Sequence, residues 1–293
     1  MVTFIADIGS NHNKSLDRIA DLIMWTAKLG CKAAKFQYFT PAQLYAAEFG
    51  HLQANISNII LPPEFVPEIQ VMCRKAGIEF HITPFHSDDV PWLSHYVDAF
   101  KIASYSILDL KLIEACARIG KPLSISTGGA TDSESEKAWF VACQYLPYDK
   151  ITQYHCVPEY PAKVRAGMMS NMRLIGDAYS DHTRDHIAIL AAVASGATKI
   201  EFHLDLDDII GAESRHGHCW PASLAEHMIS LVRRFDSVLY DSEEEQDYTE
   251  MRKWRNDPDD EARPVKQYRK ELQDRDKSNL ERICTEGIVE DSE

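Results

Sequence analysis

Short apolar runs alternate with amphipathic stretches along most of the chain. Thr3 to Gly9, Ala33 to Phe39, Glu79 to Phe85, Ala99 to Ser104, Pro122 to Gly128 and Ile151 to Val157 are rich in β-branched and aromatic residues and end at glycine, proline or polar residues, which predicts strands. A seventh run, Asp177-Ala178-Tyr179, leads into Ser180-Asp181-His182-Thr183, and an eighth, Ala197-Thr198-Lys199-Ile200, leads into Glu201-Phe202-His203-Leu204. Helical spacing fills the gaps. Ile19, Leu22, Ile23 and Ala27 recur up to Gly30 behind Ser15, a predicted N-cap. Pro62-Pro63-Glu64 opens a helix that ends near Gly77. Ser87 caps a short helix through Leu93, and further helices are predicted over Leu110 to Ile119, Asp132 to Leu146, Ile187 to Ser195 and Ser223 to Phe235. Thr40 to Ser57 keeps no clean period and reads as a long loop with a short helix.

Eight strands, each joined to the next by a connection long enough for a parallel crossover, predict a closed (β/α)8 TIM barrel in the α/β class. A doubly wound open sheet is the alternative, weakened because no glycine-rich dinucleotide fingerprint follows the first strand. The barrel is expected over residues 1–240. Residues 241–293 are dense in charge, poor in large aliphatics and interrupted by Asn256-Asp257-Pro258-Asp259-Asp260, so a charged C-terminal extension is expected there.

A formal net charge of -14 argues against a nucleic-acid partner, while a few lysines could still build a local pocket for a small anion. Met1-Val2-Thr3-Phe4-Ile5 runs straight into a strand without a signal-peptide pattern, and no apolar run is long enough to span a bilayer. The seven cysteines are scattered without a CxxC pair, which fits reduced thiols in a cytoplasmic protein with no membrane partner.

In a TIM barrel the working face lies at the C-terminal ends of the strands. His182 and His203 fall near those ends on consecutive strands, where two imidazoles can share a divalent metal or, alternatively, bond to backbone. Residues two apart share a strand face, so Lys35 with Gln37, Ser180 with His182 and Glu201 with His203 can each point inward together. Lysines in apolar strands are costly unless paired. Lys35 and Lys101 could therefore aim at one anion, with the hydroxyls of Thr83, Ser104 and Ser180 completing a phosphate or carboxylate cradle, or each could pair with a barrel carboxylate such as Asp7 or Glu201. Ser126, Thr127 and Tyr160 lie at the same rim, whereas His12, His81, His86 and His155 read as hydrogen-bonded barrel or loop residues.

The chain resembles the N-acetylneuraminate (sialic acid) synthase family, which includes legionaminate and pseudaminate synthases. The resemblance rests on Ile5-Ala6-Asp7-Ile8-Gly9 with Asn11-His12-Asn13, Lys35-Phe36-Gln37, Thr83-Pro84-Phe85, Phe100-Lys101-Ile102-Ala103-Ser104, Ser126-Thr127-Gly128, His155-Cys156 with Tyr160-Pro161, Tyr179-Ser180-Asp181-His182-Thr183, and Gly196-Ala197-Thr198 with Glu201 and His203. It implies condensation of phosphoenolpyruvate with an N-acylmannosamine-like sugar aldehyde, giving a nonulosonic acid and phosphate. A metal-dependent aldolase or lyase, or a non-catalytic sugar-binding barrel, are the other readings. The resemblance further implies a divalent metal, Mn2+ first and Mg2+ or Co2+ as alternatives, on His182 and His203; phosphoenolpyruvate on Lys35, Thr83, Lys101, Ser104 and Ser180; the sugar facing Gln37 and Tyr160; and a homodimer. The chain departs from the family pattern at Lys14, Ser106 and Pro158. Gly211-Ala212-Glu213 stands where the family has Gly-Pro-Asp, with Glu213 the expected substitute in sugar binding, and the following Arg215-His216-Gly217-His218-Cys219-Trp220 is unlike the sialic acid enzymes. The family's C-terminal antifreeze-like domain, which lends an arginine to the partner's site, is not expected here; Arg215 or Arg263 could supply that charge.

Overall fold

The structure, a computed structural model, describes residues 2–165, 168, 169, 178–208 and 210–240. The predicted 241–293 extension, with Arg263 and Cys284, lies outside the described residues, as does Asp177.

Eight parallel strands close on themselves: β1 (Thr3–Gly9), β2 (Ala33–Tyr38), β3 (Glu79–Pro84), β4 (Ala99–Ile102), β5 (Leu123–Ser126), β6 (Ile151–Cys156), β7 (Ala178–Asp181) and β8 (Lys199–Asp205), each paired with the next and β8 with β1. This is the expected TIM barrel. Around it run α1 (Leu16–Lys28), α2 (Pro41–Leu44), α3 (Gly50–Ile56), α4 (Phe65–Ala76), α5 (Val90–Leu93), α6 (Leu110–Arg118), α7 (Asp132–Cys143), α8 (His186–Ala194) and α9 (Ala222–Tyr240). Among the described residues no helix is long and apolar enough to cross a membrane, and the described cysteines are all free thiols.

Local chemistry sets the boundaries. Ser15 is the N-cap of α1, its side chain accepting from the Arg18 amide, and Gly77 ends α4 in the left-handed conformation at φ +72°. The sequence overran several elements. The helix expected from Ser87 is one 3-10 turn followed by the four-residue α5. β4 stops at Ile102, so Ser104 opens a 3-10 turn instead of ending a strand. β7 stops at Asp181, so His182 sits just beyond it. Asp181 causes that stop: its carboxylate accepts from the amides of Thr183 (3.0 Å) and Arg184 (3.1 Å) and from Trp220 Nε1 (2.8 Å), bending the chain off the sheet. The stretch expected as a long loop with a short helix over 40–57 holds α2, a 3-10 turn and α3.

Alternation divides the barrel into two environments. Outward residues such as Phe4, Phe36, Phe80, Phe100, Ile125 and Phe202 join the helices in one large core. Facing the other way, Ile5, Ala33, Tyr154 and Ala178 form a small separate cluster, the apolar floor of the barrel. Two residues further along the same strand faces stand Asp7, Lys35, Cys156 and Ser180, and the lining turns largely polar.

Candidate active site

That polar layer begins with register. Asp7 of β1 lies opposite Lys35 of β2 and His203 of β8, and Ser180 of β7 lies opposite Glu201 of β8. Lys35 Nζ donates to Asp7 Oδ2 at 2.6 Å, stands 3.5 Å from Thr83 Oγ1 and 3.8 Å from Glu201 Oε1. Lys101 Nζ reaches both Glu201 oxygens at 3.0 Å and sits 3.7 Å above the Tyr154 ring, joining the charged layer to the floor. Ser180 Oγ donates to Glu201 Oε1 at 2.8 Å. Each lysine is thus paired with a carboxylate, and both line the same cavity. Lys35 is 4% exposed and Lys101 3%. Burial works against the Lys35 charge, but Asp7 and Glu201 more than offset it and hold its pKa above the ordinary lysine value. For Lys101 burial wins over Glu201 and lowers the pKa.

The histidines lie above this layer. His182 Nδ1 is 2.7 Å from the Val157 carbonyl; a carbonyl only accepts, so Nδ1 carries the proton and Nε2 keeps its lone pair, 3.5 Å from Ser180 Oγ. Burial, with His203 adjacent, pushes the His182 pKa down to about 3, so the ring is neutral. His203 Nδ1 meets Glu213 Oε2 at 2.8 Å and its Nε2 stands 3.6 Å from Asp7 Oδ2. Burial opposes the His203 charge, but Asp7 and Glu213 outweigh it and raise the pKa. The two rings are 5.4 Å apart, and Tyr160 covers them at 4.2 Å from His182 and 5.9 Å from His203.

Glu213 reaches this group from a loop, and the residues after β1 place it. Asn11 Oδ1 accepts from the Glu213 amide at 2.9 Å, and Asn11 Nδ2 donates to the Leu204 carbonyl at 3.0 Å. The Glu213 carboxylate accepts from the Ser10 amide at 2.6 Å and lies 3.4 Å from Gln37 Nε2. It occupies the space a Cβ on Gly9 would need, and Gly9 sits at φ +50°, so both the turn and the close approach call for glycine. Burial alone would raise the Glu213 pKa; the bond to His203 and the Ser10 amide more than offset it and hold it at about 2.

All ten residues singled out from the sequence, Lys35, Gln37, Thr83, Lys101, Ser104, Tyr160, Ser180, His182, His203 and Glu213, line one cavity of about 450 Å³. Its outer wall is apolar, formed by Phe39, Leu44, Tyr45, Ile56, Ile59 and Phe85. Arg215 is exposed and is not among the lining residues. His12, His81, His86 and His155 also stay outside it, the last three bonded to Glu79, the Asp88 amide and the Met168 carbonyl. A larger groove of about 970 Å³ runs over α7 beside Trp139, Phe140 and Tyr148 and holds none of the buried charges. Among the lining residues not read as site residues, two stand beside the histidine pair. Asp7 was named only as a lysine partner. His218 sits in the His216-Gly217-His218 stretch, whose departure from the family pattern was its only signal.

The donor set fits a divalent cation. His182 and His203 present imidazoles 5.4 Å apart, and the carboxylates of Asp7, Glu201 and Glu213 line the same cavity, so nitrogen and oxygen donors of the kinds a divalent ion takes converge there.

The sequence matches the NeuB family over residues 22–244. It is 31% identical over 258 residues to the N,N'-diacetyllegionaminic acid synthase of Campylobacter jejuni, covering 81% of this chain and 77% of that protein. It is 29% identical over 258 residues to the spore coat polysaccharide biosynthesis protein SpsE of Bacillus subtilis, covering 81% of this chain and 68% of that one. Its structure superposes on the N-acetylneuraminic acid synthetase of Leptospira borgpetersenii with a TM-score of 0.77 at 25% identity, covering 87% of this chain and 91% of that one. A truncated 3-deoxy-D-arabino-heptulosonate 7-phosphate synthase from Thermotoga maritima shares the fold at 14% identity and a TM-score of 0.63. With its matched stretch carrying seven of the eight barrel strands and most of the cavity wall, the chain belongs to the NeuB family and is a sialic acid synthase-like transferase.

Proposed function

We propose that this enzyme condenses phosphoenolpyruvate with an N-acylated, mannosamine-like sugar aldehyde, releasing a nonulosonic acid and inorganic phosphate. The observation that carries the proposal is the convergence of Lys35, Lys101, His182 and His203 on one half-polar, half-apolar cavity at the C-terminal end of the barrel. The relatives named as legionaminic and sialic acid synthases support the same chemistry.

Lys35 and Lys101, with Thr83, Ser104 and Ser180, hold the phosphate and carboxylate of phosphoenolpyruvate. Their pairing with Asp7 and Glu201 keeps both ammonium groups in place before substrate arrives, so little reorganisation is needed on binding. Gln37, Tyr160 and Glu213 face the sugar, and the apolar wall of Leu44, Tyr45, Ile56 and Ile59 suits an acyl methyl group. His182 and His203 would hold a divalent metal, Mn2+ before Mg2+ or Co2+, which would supply Lewis-acid polarisation of the aldehyde carbonyl. The C3 carbon of phosphoenolpyruvate forms the new bond to the aldehyde carbon, and the aldehyde oxygen takes up a proton. Water adds at C2, one of its protons passing by way of a pocket carboxylate to the aldehyde oxygen; the C2–O bond to phosphate then breaks as the new C2 hydroxyl gives its proton to the leaving phosphate and becomes the keto group, and the lysines stabilise the phosphate's negative charge. We place the protein in the cytoplasm, acting as a homodimer.

The test is phosphate release by metal-stripped protein given Mn2+, phosphoenolpyruvate and a panel of sugar aldehydes. Release that needs both aldehyde and metal, and disappears in His182→Ala, supports the reading. Phosphoenolpyruvate consumed without any aldehyde, or no release with N-acylated aldehydes, contradicts it.

A further inference from the structure

The family resemblance accounts for two imidazoles, but two more line the cavity: His216, which is exposed, and His218, which is buried. His218 is 2% exposed, its ring centroid is 4.5 Å from that of His203 and 6.5 Å from that of His182, and Tyr160 covers it at 4.8 Å as it covers the other two. One potential ligand atom each from His203, Glu213, His218 and Cys219 lies within 4.8 Å of the other three. His218 Nε2 is 3.9 Å from Glu213 Oε2, while His218 Nδ1 is buried without a hydrogen-bond partner. An imidazole sealed from water with an unmade bond costs stability, so its placement needs another explanation.

The backbone holds His218 firmly. Gly217 turns the chain at φ +80°, and the two residues after Cys219 form a short strand, β9 (Trp220–Pro221), paired with β8 through Leu204 and Asp205. Trp220 Nε1 then ties this strand to Asp181 beside His182 at 2.8 Å. The same loop is fixed by Asn11 through the amides of Glu213 and Ser214. His182, His203 and His218 are thus set by one connected frame.

We propose that His218 is a third imidazole ligand of the metal held by His182 and His203, with Glu213 as the carboxylate that orients His203. This rests on the metal-dependent reading above. Metal–nitrogen bonds of about 2 Å bring two rings on one ion to within about 6 Å of each other; His182–His203 and His203–His218 already meet this, and His182–His218 lies just beyond it. Glu213 accepting from His203 Nδ1 is the arrangement that fixes a ligating ring. Three imidazoles favour cobalt, zinc or iron(II) over manganese and magnesium more strongly than two do. Cys219 is left out of the set because Asn11 Nδ2 already contacts its sulfur at 3.4 Å.

The test needs no turnover. Metal-stripped full-length protein and its His182→Ala, His218→Ala and His218→Gln variants are titrated with Co2+ and Mn2+ by calorimetry, and the visible spectrum of the Co2+ forms is recorded. Circular dichroism of the metal-free variants checks folding. We expect one Co2+ per chain in the wild type, an affinity loss of about 10- to 100-fold in both His218 variants, a changed cobalt spectrum, and a smaller preference for Co2+ over Mn2+. Unchanged affinity and spectrum in folded His218→Ala, with binding lost in His182→Ala, would overturn the third ligand and leave the proposed function standing. A sulfur-to-cobalt band in the near ultraviolet would overturn the three-imidazole set in favour of Cys219. Wild-type protein that binds neither ion would overturn the metal-dependent reading itself.

Discussion

The floor and the mouth of this barrel are built from the same strand faces, two residues apart, and obey opposite rules. At the floor, Ile5, Ala33, Tyr154 and Ala178 fill space and leave no charge to satisfy. At the mouth, Asp7, Lys35, Lys101 and Glu201 are equally buried but ionisable, held by one another and by Ser180, His203 and the Tyr154 ring. Buried ion pairs of this kind return little net stability, because desolvation cancels most of their attraction. The floor therefore carries folding energy, and the mouth carries chemistry that the rest of the fold must stabilise.

Variants in the two layers should separate these roles. The largest expected effect is in the mouth: Lys101→Met should lower kcat/KM by about 10²- to 10³-fold for want of one charge on the departing phosphate. Removing only the cation leaves Glu201 near Lys35 and Ser180, so urea titration should show a far smaller stability change than the activity loss suggests. Glu201→Gln breaks the network at its centre, leaving Lys101 buried without its carboxylate. It should cost about 3–5 kcal/mol by denaturant titration. In the floor, Ile5→Ala should cost about 2–4 kcal/mol through the cavity it leaves, while the folded fraction keeps near-normal kcat. If Ile5→Ala lost kcat as severely as Lys101→Met, the division between layers would fail.

A subtler variant tests how the loop is seated. Gly9→Ala forces a Cβ into the Glu213 carboxylate and strains a residue at φ +50°, costing about 1–2 kcal/mol. It should raise KM for the aldehyde more than KM for phosphoenolpyruvate, since Glu213 and not the lysines is displaced. The smallest effect is expected outside both layers. Ser15→Ala removes the N-cap of α1 and should cost about 1 kcal/mol in thermal unfolding with turnover unchanged.

The same contrast explains what could be read from the sequence. Lys35 and Lys101 stood out because charge inside an apolar alternation has no structural purpose of its own, and strand periodicity fixes where it points. His182 and His203 were legible as a matched pair on consecutive strand ends. His218 was not, because a histidine in a loop has no periodicity to aim it. Its position depends on β9, a two-residue strand paired to β8 by register and to Asp181 through Trp220. The apolar wall from α2 and α3 reads in the sequence as a long loop with only one short helix for a related reason: each helix is too short for a 3.6-residue period to show above composition.

The most direct test of the proposed chemistry uses phosphoenolpyruvate carrying ¹⁸O in the bridge between C2 and phosphorus, incubated with the loaded enzyme and an N-acylated mannosamine-type aldehyde. Water addition at C2 followed by C2–O cleavage predicts that the label leaves with inorganic phosphate and that the new sugar acid contains none. Label retained in the sugar acid would mean attack at phosphorus, and no aldehyde-dependent release of label at all would contradict the assignment of Lys35 and Lys101 to phosphoenolpyruvate.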